Sequence, residues 1–291
     1  MEKVKQITVI GLGLLGASVT LAVKRSMPTV KAVGYTHRPS TRKKAVELEI
    51  ADVVCENIED SVKEADIVIL ATPICNFEQY FKDISSALKP GCIVTDVGST
   101  KELAHKWAKK HLRKDVYYVG SHPIAGSEKR GLEFARDDLF NNANCIITSD
   151  ASTNAKAVKK IQEFWQKLGS VVYGMSPVKH DRILGSISHL PHLMAAALVN
   201  ASDFEDLKLA GRGFLDTSRI ASGPANVWTD IFMTNSKNTA KDIDMVIKEL
   251  TKLKSAIKAQ RPDQIEKLLE AARQKREKFI SYKVKKGEIL I

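Results

Sequence analysis

Cysteine is scarce in this chain. Cys55, Cys75, Cys92 and Cys145 are the four in 291 residues, and no two stand close enough in sequence to clip a metal. That spacing offers neither a disulfide framework nor a zinc site and suits reduced thiols in the cytoplasm. Long hydrophobic runs are missing near the N-terminus. The uncharged stretch over residues 7–23 follows Lys3 and Lys5 and so resembles an export signal. It falls short of the roughly 20 apolar residues of a membrane span, and Gly11, Gly13 and Gly16 interrupt it. Acidic residues are outnumbered, 34 Asp+Glu against 45 Lys+Arg, and the net charge of +11 favours anionic partners. From residue 241 onward 14 Lys+Arg face 8 Asp+Glu. No interleaved aromatics or recognised module accompany them, so they read as a solvated helix face rather than a surface for nucleic acid or membrane.

What is present is the balance of a soluble globular chain, 44% hydrophobic and 27% charged, long enough for two domains. Residues 5–10, 30–35, 66–71, 93–96, 117–120, 144–148 and 170–173 read as strands, and residues 17–26, 41–49 and 155–168 as helices between them. That alternation predicts an α/β, Rossmann-type dinucleotide-binding domain over residues 1–174. Beyond residue 175 the strands stop. Residues 177–199, 227–256 and 263–281 read as helices, the last opened by Pro262 with Asp263 as its cap. The prediction for residues 175–291 is an all-helical domain.

The chemistry begins at Gly11-Leu12-Gly13-Leu14-Leu15-Gly16, between a strand and a helix. Gly11 serves a tight turn, Gly13 lets backbone approach a pyrophosphate, and Gly16 allows close helix–strand packing. A helix N-terminus there favours the negative charge of a dinucleotide. About 20 residues past the glycines, an NAD-binding chain would place a carboxylate on the ribose. Thr36, His37 and Arg38 stand there instead. Arg38 can pair with a 2′-phosphate, so NADP is favoured over NAD, although a solvated loop cation would look the same. Thr72 and Pro73, and then Ser99, follow later strands at the edge where ligands bind.

Three further segments carry candidate residues. His122, followed by Pro123 and small residues up to Glu128, reads as an imidazole on a loop facing open space, able to take a proton near neutral pH. A structural histidine is the alternative. His189 and His192 lie three apart in Ser188-His189-Leu190-Pro191-His192. With no third ligand at metal-like spacing, no metal is expected. The Gly-rich stretch over residues 211–221 reads as a loop in which Asp216 holds Arg219 as a fork for a carboxylate, or as a structural ion pair.

Taken in order, Gly11, Asp96 to Ser99, His122 to Glu128, His180-Asp181, Ser188 to His192 and Gly213 to Ala221 resemble the prephenate dehydrogenase family of tyrosine biosynthesis, which includes arogenate and cyclohexadienyl dehydrogenases. The resemblance implies oxidative decarboxylation of prephenate to 4-hydroxyphenylpyruvate with hydride transfer to NAD(P)+. It implies His122 as the catalytic hydrogen-bond acceptor with Ser99 as its partner, Arg219 as carboxylate binder, His192 as reader of the substrate side chain, and Glu128 as a gating residue. Ser127, His189 and Asp216 join the substrate site on the same grounds. A cytoplasmic homodimer, with L-tyrosine as a possible inhibitor, completes the expectation. Arogenate is the alternative substrate. A β-hydroxyacid dehydrogenase would call for a catalytic lysine where this chain has histidines and Arg219, and a silent nucleotide sensor would show no turnover.

Overall fold

The computed structural model describes residues 4–125 and 131–286. It divides into two compact units, Met1–Thr239 and Ala240–Ile291. In the first unit β1 (Gln6–Ile10), β2 (Lys31–Tyr35), β3 (Val53–Cys55), β4 (Ile67–Leu70), β5 (Ile93–Asp96) and β6 (Tyr117–Tyr118) form a parallel sheet in the order β3-β2-β1-β4-β5-β6. Strand order reverses between β1 and β4, the switch point of a doubly wound fold. The crossovers carry α1 (Leu14–Ser26), α2 (Pro39–Glu47), α3 (Ile58–Val62), α4 (Phe77–Ser85) and α5 (Glu102–His111). All four residues of β4 are apolar and buried, as a parallel strand covered on both faces requires. One buried cluster gathers Ile7, Val9, Val19, Phe140 and Trp165, and the other Ile10, Val68, Leu70, Phe77 and Phe81.

The single strand expected over residues 117–120 is corrected. After Tyr118 the chain leaves the sheet. A strand β7 (Gly120–Pro123) pairs antiparallel with β8 (Asn144–Thr148), which runs parallel to β9 (Val171–Met175) in a separate three-stranded sheet. The Asp96 side chain turns it: Oδ1 accepts from the Tyr118 hydroxyl at 2.8 Å and the Ser121 amide at 3.0 Å. Thr95 and Ser121 hydroxyls meet at 2.6 Å beside it. His122 is therefore a strand residue opposite Ile146 rather than a loop residue facing open space. Between β8 and β9, Asn154 caps α6 (Ala155–Lys167) by accepting from two backbone amides, and Gly169 at φ +93° follows the helix.

The helical part of the first unit comprises α7 (Pro177–Leu184), α8 (Leu190–Asn200), α9 (Phe204–Leu207), α10 (Arg212–Ser218) and α11 (Ala225–Thr234). The helix expected over residues 177–199 is interrupted by a π turn at Gly185–His189. Pro191 has no N–H to return to the carbonyl four residues back, and a wider turn absorbs that misfit. The loop expected over residues 211–221 is also corrected: it is α10 followed by a 3₁₀ turn at Arg219–Ser222. Pro177–Asn200 as a whole is long and apolar enough to cross a membrane by length and composition alone. Within it His180, Asp181, His189 and His192 are buried, whereas Val178 and Ile187 are exposed.

The helix expected over residues 227–256 is two helices. The backbone leaves helical geometry at Asn235 (φ −124°, ψ 30°), and α12 (Ser236–Lys258) begins after it. The Asn235 side chain is held by the Asp181 carbonyl at 2.7 Å and His189 Nδ1 at 3.0 Å, which keeps it from solvent. In the second unit α13 (Pro262–Lys285) follows α12. Its cap position is Arg261 without a side-chain cap bond, not Asp263 as expected. Leu250, Ile257, Leu269 and Phe279 are exposed on these helices.

Lys101, just before α5, is fully buried with its ammonium bonded to Asp96 Oδ2, which also accepts from the Gly98 amide at 2.9 Å. A buried charge stripped of its partner is strongly destabilising. Asp96→Asn is expected to lower the free energy of unfolding by about 3–5 kcal/mol, read as a fall in the urea midpoint at constant slope. A loss below about 1 kcal/mol would show that the pair does not hold this corner together.

Candidate active site

The first part of the site is the turn between β1 and α1. Gly11 sits at φ +102°, and a Cβ there would lie 2.6 Å from the Ala71 carbonyl oxygen. A Cβ on Gly16 would lie 1.9 Å from the Gly11 carbonyl oxygen, so neither position admits a side chain. Gly13 is different: it is exposed, and nothing lies within 4 Å of its would-be Cβ. No side chain caps α1, so the first-turn N–H groups at Leu14 and Leu15 are left to an external anion. Thr72 borders the turn from the end of β4, its Cγ2 2.7 Å from the Gly11 would-be Cβ, with Pro73 exposed beside it. The residues present fit a dinucleotide pyrophosphate: open space, free donors and close walls on both sides.

At the end of β2 Thr36 is 7% exposed, whereas His37 and Arg38 face solvent. Arg42 folds back, its Nη1 donating to the Thr36 and His37 carbonyls at 3.0 and 3.2 Å. No carboxylate occurs between Thr36 and Lys44. The edge is cationic.

Beyond the sheet lies a buried chain of polar groups. Asp181, in the second turn of α7, accepts from the Lys101 amide on Oδ1 and the Glu102 amide on Oδ2, both at 2.8 Å, and so caps α5 from another helix. His180 Nδ1 lies 2.7 Å from Asp181 Oδ1, and His180 Nε2 lies 2.9 Å from His122 Nδ1. His180 is 0% and Asp181 1% exposed, while His122 is only half-buried. Burial pushes His122 well below the usual histidine value, helped by His180, the Lys101 ammonium and His189. His180 falls to about 2, chiefly by burial and then by Lys101. His189 and His105 fall to about 4, again through burial. The charged form of the His122 ring is thereby disfavoured.

The remaining expected residues are placed as follows. Ser99 is half-buried in the segment joining β5 to α5. The next residue, Thr100, meets Thr234 of α11 through their hydroxyls at 2.8 Å, which ties that segment to the helical part. His189 is 1% exposed and bonded to Asn235, so it braces helices instead of lining a surface. His192 is 5% exposed and stacks on Trp228 with ring centroids 3.7 Å apart and planes at 12°. Its Nδ1 is buried without a partner among the described residues. Asp216 and Arg219 are both exposed, on α10 and just past it. Ser127 and Glu128 lie outside the described residues.

Sequence reasoning missed Lys101, Tyr118, Trp228 and Asn235, and gave His180-Asp181 no role. Lys101 carries no sequence signal, because a lysine opening a helix ordinarily faces water. The adjacent His180 and Asp181 were visible, and their meaning came only with His122, 58 residues away.

Comparison with known proteins agrees with this geometry. The family profile "Prephenate dehydrogenase, nucleotide-binding domain" matches residues 19–174, and "Prephenate dehydrogenase, dimerization domain" matches residues 176–271. A cyclohexadienyl dehydrogenase of Zymomonas mobilis is 33% identical over 270 residues, covering 90% of this chain and 92% of that protein. The crystal structure of prephenate dehydrogenase from A. aeolicus in complex with hydroxyphenyl propionate and NAD+ is 34% identical, with a TM-score of 0.88 over 96% of this chain and 99% of that one. Arogenate dehydrogenase from Synechocystis is 30% identical, with a TM-score of 0.81 over 94% of this chain and 99% of that one. The chain belongs to the prephenate dehydrogenase family, as a nucleotide-binding α/β domain followed by a helical one.

Proposed function

We propose that this chain is a prephenate dehydrogenase that oxidatively decarboxylates prephenate to 4-hydroxyphenylpyruvate. The observation that carries the reading is His122: a neutral, half-buried imidazole in a family whose substrate must lose a hydroxyl proton. A nicotinamide dinucleotide, when bound at Gly11, Gly13 and Gly16, supplies the two-electron acceptor. His122 takes the proton from the ring hydroxyl; the O–H pair closes a C=O bond and the C–H pair leaves that carbon with its hydrogen as hydride. The bond to the carboxylate on the opposite ring carbon then breaks, and its pair passes through the ring to the oxygen, which recovers the proton held by His122. Carbon dioxide departs and the ring becomes aromatic. Ser99 shares the hydroxyl with His122. Arg219 holds a substrate carboxylate, steadied by Asp216, with Ser127, Glu128 and His192 completing the substrate site, and buried His189 supports it from behind through Asn235. The functional division falls at residues 174/175.

Further parts of the proposal rest on separate observations. The cationic edge at Arg38 and the missing carboxylate favour NADP, with NAD as the alternative. The exposed Leu250, Ile257, Leu269 and Phe279, together with the dimerization-domain match, favour a homodimer. Four unpaired cysteines suit the cytoplasm. L-tyrosine, which resembles the product, is a candidate inhibitor. The similarity to arogenate dehydrogenase makes L-arogenate the second substrate to assay.

His122→Asn is expected to lower kcat about 10²–10⁴-fold while leaving substrate and cofactor affinity nearly unchanged. Turnover within a few-fold of the parent would remove His122 as the base. The acid limb of kcat/KM should lie well below pH 6.5, because a histidine pushed downward stays neutral until the solution is distinctly acidic. A limb centred at or above 6.5 would contradict this. Arg38→Ala should cut kcat/KM for NADP+ by roughly 10-fold or more and leave NAD+ nearly unaffected, since a charge-assisted bond to a phosphate is lost. Equal losses for both would move Arg38 away from the 2′-phosphate.

A further inference from the structure

We propose that His180 and Asp181 are positioning residues that set the tautomer of His122, keeping its proton on Nδ1 and its lone pair on Nε2. This rests on the reading of His122 as the base and adds what makes it one. A neutral imidazole has one donor and one acceptor nitrogen, and only the tautomer with a free lone pair toward the hydroxyl can take a proton.

The direction of the chain follows from its far end. Asp181 faces three groups: the Lys101 amide, the Glu102 amide and His180 Nδ1. Two are backbone N–H groups that can only donate, and they engage both carboxylate oxygens. An ionised Asp181 is acceptor-only, so His180 must carry its proton on Nδ1. His180 Nε2 then holds a lone pair and can only accept. The hydrogen bond at 2.9 Å must come from His122 Nδ1–H. His122 Nε2 is left as the basic nitrogen. When Nε2 takes a proton, the imidazolium remains linked through His180 to the Asp181 charge, the logic of a catalytic triad with a second imidazole inserted.

A purely structural reading explains only half of this. Capping α5 accounts for Asp181 but needs no imidazole beside it. Burying a histidine and an aspartate together is costly unless both are satisfied, and the bond donated by His122 Nδ1–H satisfies the last nitrogen of His180. Other charged and titratable groups face the chain from every side. They are Asp96 at the end of β5, Lys101 just before α5, His105 on α5, Tyr118 on β6, Cys145 on β8 and His189 beyond α7. Lys101 adds to burial in disfavouring the protonated forms of His122, His180 and His105. Protonation of Asp181, whose carboxyl burial pushes upward, would let it donate to His180 and reverse the whole chain.

The test uses the full-length protein with three variants. His180→Gln keeps an amide oxygen able to accept from His122 Nδ1–H, His180→Leu does not, and His122→Asn is the control. Long-range ¹⁵N NMR of histidine-labelled wild type reads which His122 nitrogen bears the proton. The expected result is Nδ1–H in wild type. In His180→Leu, kcat should fall on the order of 10²-fold with KM nearly constant, and His180→Gln should recover to within about 10-fold of wild type. An Nε2–H tautomer in wild type overturns the proposal even if a variant fails to fold. Near-normal kcat in His180→Leu, or equal loss in His180→Gln, also overturns it. If His122→Asn is inactive while His180→Leu is not, only the relay fails. If His122→Asn retains turnover, the base itself is wrong and the relay falls with it.

Discussion

A lysine ammonium and an aspartate carboxylate, both without access to water, sit at the carboxyl end of β5. Charges so placed are tolerated only when every lone pair and proton finds a partner. Asp96 meets that demand by drawing in groups from four directions: Tyr118 of β6, Ser121 of β7, the Gly98 amide and Lys101. The bond to Ser121 places the next residue, His122. The placing of Lys101 sets its amide against Asp181. One electrostatic requirement thus aligns the sheet edge, the start of α5 and the first helix beyond β9.

The same requirement shapes the acid–base character of the site. Burial disfavours a positive charge on these imidazoles, and the Lys101 ammonium adds to it at His105, His122 and His180. His105, His122, His180 and His189 consequently favour the neutral form, in which each ring both donates and accepts. Neutral imidazoles can form a directed hydrogen-bond chain, whereas protonated ones would be donors only. An uncharged base also leaves the cationic features of the surface, such as Arg38, as the features that attract anionic ligands.

Local bonds explain where sequence patterns misled. Apolar periodicity carries a helix through residue 235, but Asn235 is captured by Asp181 and His189 and the helix breaks there. The stretch over residues 177–199 contains Pro191, and a π turn that absorbs its missing N–H precedes it, between the His180 and His192 positions. A Gly-rich segment looked like a loop, yet Arg212–Ser218 is helical because glycine weakens a helix without forbidding it.

The linear chain by itself determined the nucleotide-binding turn, since Gly11 and Gly16 occupy positions where a Cβ would collide with backbone. It also determined the α/β-then-helical order, because hydrophobic spacing changes period after residue 175. The motifs around His122 and His192 placed it in its family. Only the tertiary structure decided that His122 lies in a strand and pairs with His180, that Lys101 turns inward, and that burial disfavours charge on His122 and His180. Those properties depend on distance and burial between residues dozens of positions apart, and neither quantity is written in local sequence.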